Sequence, residues 1–205
     1  MTGCLRHSLN VCLARIAVQM GTDDFYGYMN RFGIGHPTGI DLSGEAGGRL
    51  KVPGDADWYS VDLATNSFGQ GVTATPIQLM MAASSIANEG TMVTPHLLYG
   101  MVRDNKQYNF PPQDAGRPIS RETAIVLNEM LANSLNVEGS QATLPDYRLV
   151  GKTGTAEIPT EYGSYSNAQT NASFIGWGPV DDPQFMIYVW LEKPTTSIWA
   201  SKTAA

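Results

Sequence analysis

Two short runs carry the side chains from which a reaction site could be built. Lys152-Thr153-Gly154-Thr155-Ala156-Glu157 sets an ammonium and two hydroxyls around a glycine at the end of a predicted strand, and Ser8-Leu9-Asn10 sets a hydroxyl and a carboxamide just ahead of a predicted helix. Each also has a plain structural reading. The first is what a strand end followed by a turn looks like, and a serine before a helical run is an N-cap whose oxygen satisfies an amide two or three residues on. Read as chemistry, an edge strand can take up an extended peptide as a further strand held by main-chain hydrogen bonds. Ser8 and Lys152 are 144 residues apart, so only the fold can bring them together. A second such run, Ser134-Leu135-Asn136, ends a predicted helix shortly before Lys152.

The elements that must position these residues can be read from periodicity. Leu9, Leu13, Ile16, Ala17 and Met20 have helical spacing, so a helix is predicted over 8–20 with Gly21 as its stop. A second begins at Thr22-Asp23-Asp24 and stops at Gly33. From Gly33 to Gly71 the dense Gly, Pro, Asp and Ser predict long surface loops. Thr75-Pro76-Ile77-Gln78 then reads as an N-cap, a proline at the first helical position and a capping-box glutamine; that helix presents Ile77, Met80 and Met81 to the core and stops at Gly90. Residues 104–118 read as a surface excursion, and Ser120 caps a helix whose Ala124, Leu127, Leu131 and Leu135 face inward. Strands are predicted at 147–153, 172–177 and 185–191, the last two flanking the turn Gly178-Pro179-Val180-Asp181-Asp182-Pro183. The unbroken apolar run Phe185 to Leu191 predicts a strand covered on both faces. The expected fold class is α+β, an antiparallel sheet with helices on both faces.

Composition narrows the functions. The 205 residues, 42% of them apolar and 16% charged, suffice for one domain with a sizeable core. A net charge of -6 with 13 dispersed Lys and Arg excludes nucleic acid as a partner. Cys4 and Cys12, separated by about 12 Å if the intervening chain is wholly helical, are expected to be too far apart for a disulfide, which needs Cα atoms within roughly 7 Å. With three histidines and no metal-ligand spacing, no metal and no cofactor is expected. No stretch approaches the roughly 18 to 20 apolar residues of a membrane span, and the N-terminus lacks the basic-then-apolar order of an export signal.

Taken in order, the motifs resemble the C-terminal portion of the penicillin-binding transpeptidase domain. Lys-Thr-Gly at a strand end is one of that family's three elements, shared with serine β-lactamases. Ser67-Phe68-Gly69-Gln70-Gly71, Thr73 to Leu79 and Ile86-Ala87-Asn88-Glu89-Gly90 resemble the segment between the second and third elements. Phe32-Gly33-Ile34-Gly35 with Thr38 to Leu42 resembles the loop after the second, and Ala172 to Gly176 with Asp182-Pro183 the hairpin after the third. Ser8-Leu9-Asn10 resembles the second element itself. The match is most similar to the class B branch, the peptidoglycan D,D-transpeptidases of elongation and division, and implies one partial domain over 1–205.

The resemblance implies roles. Acyl transfer from a D-Ala-D-Ala stem peptide needs a nucleophile, a base, donors for the oxyanion and a site for the terminal carboxylate. Ser8 would relay protons beside the catalytic lysine and Asn10 would contact that lysine and the substrate amide. Lys152 would supply positive potential, Thr153 and Thr155 would hold the carboxylate of peptide or β-lactam, and Gly154 would let the acyl chain approach. The family's first element, Ser-x-x-Lys, is absent: the residues three before Lys51, Lys106, Lys152, Lys193 and Lys202 are Gly48, Arg103, Leu149, Trp190 and Trp199. Because the resemblance places that element ahead of Ser-x-Asn, truncation just upstream of Met1 would produce this absence, as would true loss, and Ser201-Lys202-Thr203-Ala204-Ala205 resembles the approach to the family's last helix. The fold is thus expected to be incomplete at both ends and the chain not competent alone. The resemblance further implies a membrane-anchored parent at the extracytoplasmic face, working in a cell-wall synthesis complex. Competing readings are a non-catalytic module binding peptide or β-lactam, and part of a serine β-lactamase or β-lactam sensor.

Overall fold

A chain reversal ahead of the predicted N-terminal helix sets the geometry of this end of the chain. The computed structural model describes residues 1–135, 142–159, 165–197, 199 and 203–204. The helix predicted over 8–20 is present as α2 (Asn10–Met20), and a short helix, α1 (Thr2–Arg6), precedes it. Between them the chain doubles back, with the Leu9 N–H donating to the Cys4 carbonyl at 3.0 Å and Ser8 at a φ of 47°. The reversal corrects the expectation for the cysteines. Cys4 and Cys12 have Cα atoms 6.1 Å apart and form a disulfide, because the intervening residues are not the continuous helix that would have separated them.

Helix α3 (Thr22–Arg31) follows Gly21, with Asp23 and Asp24 in its first turn and Arg31 in its last, charges placed to complement the helix dipole. The region expected to be loop throughout contains β1 (Arg49–Leu50) and a short helix α4 (Ser60–Asn66), then β2 (Val72–Thr73) pairs with β1. One carboxylate starts α4: Asp62 accepts from the Tyr59 N–H at 2.7 Å and from Lys51 Nζ at 2.8 Å. Ala17 of α2 packs with Tyr26 and Leu63 in a cluster that joins α2, α3 and α4.

The capping box of α5 (Pro76–Ala87) forms as read from the sequence, with the Gln78 N–H donating to Thr75 Oγ1 at 3.2 Å and the Thr75 N–H to Gln78 Oε1 at 2.8 Å. Its most buried residues, however, are Gln78 and Ser85, while Ile77, Met80 and Met81 are half-buried. Gln78 can be buried because its amide also donates to the carbonyls of His36 and Gly47, pinning the 33–48 loop. The excursion expected at 104–118 carries strands. β3 (Met92–Thr94) pairs with β6 (Gln113–Gly116), and β4 (Gly100–Arg103) with β5 (Lys106–Asn109) across Asp104 and Asn105, both at positive φ as a two-residue hairpin turn requires.

Helix α6 (Arg121–Leu135) starts where expected, Ser120 Oγ accepting from the Thr123 N–H at 3.2 Å. It lies on the main sheet of β7 (Val150–Pro159), β8 (Tyr165–Gly178) and β9 (Phe185–Glu192), antiparallel in that order. Leu131 and Ala132 bury against Val150, Trp177 and Val180, joined by Leu5 of α1 and by Ala83, Ile86 and Ala87 of α5. On the other side Phe174 and Ala172 meet Leu135 and Ala204, but Phe185, Ile187 and Val189 of β9 are exposed, so this strand is covered less completely than its unbroken apolar run predicted. The α+β class holds, with helices and antiparallel sheets.

Candidate functional site

Lys152 lies in the third position of β7, opposite Ile175 of β8. Strands alternate their faces, so it shares the helix-facing side with Val150. Val150 is buried against α6, whereas Lys152 reaches past it to the turn between α1 and α2. There its Nζ donates to Ser8 Oγ and, at 2.8 Å, to the Thr153 carbonyl. Burial pushes the Lys152 ammonium below the ordinary lysine value, since the charged form loses hydration. Ser8 does not cap α2; the N-cap of that helix is Leu9, and no side chain caps it. The hydroxyl is taken by Lys152 instead, and the N-cap reading of Ser8 gives way to a contact across the fold.

Around this contact opens a cleft of about 1070 Å3. One wall is β7, the edge strand of its sheet, presenting Thr153, Gly154 and Thr155. Gly154 pairs with Ser173, and a Cβ on it would stand 2.7 Å from Ser173 Oγ. Thr155 is exposed to the cleft. Asn10, the first residue of α2 and solvent-exposed, lines the same space beside Ser8. All six residues singled out in the sequence therefore border one cleft. The second Ser-Leu-Asn run does not: Ser134 Oγ donates to the Met130 carbonyl of its own helix at 2.7 Å, and Asn136 lies outside the described residues.

The opposite wall was not anticipated. Thr65, Ser67, Phe68 and Gln70, from the end of α4 and the loop into β2, face the cleft. Gly69 and Gly71 both have positive φ, and a Cβ on Gly71 would meet Asn66 Oδ1 at 3.0 Å, which explains the glycine spacing that makes this loop possible. The Gly-Gln-Gly run was the available signal, but only the presence of α4 turns it toward Lys152. Arg6 and His7, to which the sequence assigned nothing, also line the cleft. A strand edge with hydroxyls, a glycine and a partly buried cation can seat an extended chain and its terminal anion.

The family model for the penicillin binding protein transpeptidase domain matches residues 1–205. Stage V sporulation protein D of Bacillus subtilis is 34% identical over 206 residues, covering 98% of this chain and 31% of the relative. Peptidoglycan D,D-transpeptidase MrdA of Escherichia coli is 31% identical over 223 residues, covering 94% of this chain and 34% of the relative. The crystal structure of penicillin binding protein 3 from Mycobacterium tuberculosis in complex with aztreonam superposes with a TM-score of 0.88 at 28% identity, covering all of this chain and 47% of that one. The chain thus spans about a third of the length of the curated relatives it matches. In sequence, in fold and in the ordering of its motifs around one cleft, the chain belongs to the penicillin-binding protein transpeptidase domain family.

Proposed function

We propose that these 205 residues form the recognition side of a peptidoglycan D,D-transpeptidase active site, and that the intact parent cross-links stem peptides through a serine acyl-enzyme. The observation that carries this reading is the meeting of Lys152 with Ser8 in a cleft lined by Thr153, Gly154 and Thr155 of β7. In this reading the D-Ala-D-Ala end of a stem peptide lies along β7. Thr153 and Thr155 donate hydroxyls to its carboxylate, or to that of a β-lactam, and Lys152 supplies the positive potential. Gly154 lets the acyl chain approach the strand, and the Thr155 N–H serves as one oxyanion donor. Ser8 and Asn10 stand ready to relay a proton and to hold a second lysine, supplied with the nucleophilic serine by a Ser-x-x-Lys element outside these residues. This chain has no such element of its own and is not expected to acylate unaided.

The parent acts on the extracytoplasmic side, anchored in the membrane and joined to other cell-wall synthesis proteins. The Cys4–Cys12 disulfide supports that compartment, because such bonds persist in oxidising surroundings. Among the described residues no helix is long and apolar enough to cross a membrane. A fluorescent penicillin tests the reading. The isolated chain is expected to carry no adduct that survives denaturation, whereas the chain extended upstream to include Ser-x-x-Lys is expected to label. A non-labelling extended chain would favour a non-catalytic binding module, and rapid loss of the label by hydrolysis a β-lactamase.

A further inference from the structure

We infer that the Cys4–Cys12 disulfide is a positioning element of the cleft, tying its two walls together and so holding Ser8 and Asn10 against Lys152. The two cysteines belong to different packing units. Cys4 sits on α1, which lies against α6 through Leu5 and through Arg6 Nη2 donating to the Asn133 carbonyl at 2.9 Å. It therefore moves with the sheet that carries Lys152. Cys12 sits in the first turn of α2, whose Ala17 is buried with Tyr26 and Leu63. It moves with the helices that build the opposite wall. The cleft lies between these units, and Cys4 itself lines it.

Ser8 lies inside the loop that the disulfide closes. Its φ of 47° is a left-handed conformation that a residue with a Cβ adopts at a cost, so the turn persists only where its surroundings over-determine it. Within the turn the His7 N–H donates to the Gly3 carbonyl, the Ser8 N–H to the Leu5 carbonyl and the Leu9 N–H to the Cys4 carbonyl, and the disulfide adds a covalent closure to these and to the Lys152–Ser8 contact. The bond thus fixes the orientation of a hydroxyl at the floor of the cleft, where small displacements are costly to catalysis.

The inference rests on the transpeptidase reading, and the test separates the two. In the full-length parent, the time course of acylation by a fluorescent penicillin is followed before and after treatment with dithiothreitol. Reduction adds two electrons and two protons to the Cys4–Cys12 bond, giving two thiols, while the dithiol closes to its own disulfide. The expected result is an acylation rate constant lowered by roughly tenfold or more, with the final labelled fraction unchanged and the rate restored on reoxidation. The double variant Cys4→Ser, Cys12→Ser is expected to be as slow as the reduced protein and indifferent to dithiothreitol; if it fails to fold, the reduction and reoxidation cycle decides alone. Free Cys4 and Cys12 thiols in the native protein, by alkylation and mass measurement, would overturn the inference. So would an unchanged rate after reduction, or a smaller labelled fraction at an unchanged rate, which is the mark of a merely structural bond. A parent that labels in neither state sinks the transpeptidase reading and the inference with it.

Discussion

Lys152 shows how one partly buried cation couples stability to the site. Between its lowered pKa and the ordinary lysine value, the unfolded chain binds more protons than the folded one, so this residue makes stability rise with pH across that window. Lys152→Met removes the desolvation cost. The variant is expected to be more stable than the original at neutral pH, with the gap closing as pH climbs to the ordinary lysine value; denaturant titrations at several pH values check this, and a pH-independent gap would refute it. Gly154 makes a different prediction. Gly154→Ala brings a methyl against Ser173 Oγ and, in the proposed reading, into the space taken by the acyl chain, so penicillin labelling of the parent should slow by roughly tenfold. Adding Ser173→Ala relieves the first clash and not the second, and full recovery of the rate would rule out a role in close approach. Ser8, Asn10 and Lys152 to Thr155 were legible because their residue types recur at recognisable spacings. The disulfide was not, because whether eight residues are helix or reversal is decided by how α1 and α2 pack on separate partners.

Among the elements, α5 was the most legible, since its cap is written in consecutive residues. Its weight in the fold comes from Gln78, which serves the Thr75 N–H and the carbonyls of His36 and Gly47 at once. Gln78→Leu keeps the volume and leaves those part-buried groups without their partner, a loss of about 1–3 kcal/mol. Thr75→Ala, which removes the cap alone, should cost about 1 kcal/mol. Denaturant midpoints should rank the two in that order, and the reverse order would mean the 33–48 loop is held by something other than Gln78. The elements that escaped sequence reading are short ones. α4 starts on a carboxylate and a lysine from another segment, and β6 exists by pairing with β3 across the intervening hairpin, so neither carries a local periodicity to detect. The cost of missing α4 was the far wall of the cleft.

At the scale of the whole molecule, β9 leaves Phe185 and Ile187 about half exposed, at 53% and 47%, apolar area that a free-standing domain would ordinarily bury. The isolated 205 residues are therefore expected to melt broadly and at low temperature and to bind an apolar dye, whereas a sharp, cooperative transition would count against marginal stability. The Lys152–Ser8 contact has a kinetic consequence as well. It closes a loop of 144 residues, and contacts between distant parts of a chain must meet the entropy of that closure before they return anything. Local helices and the β4–β5 hairpin can form early, but the cleft waits until the two ends of the chain meet. In refolding, recovery of helical signal should precede recovery of a competent ligand site, leaving an interval in which the protein is largely ordered and still blind to its ligand.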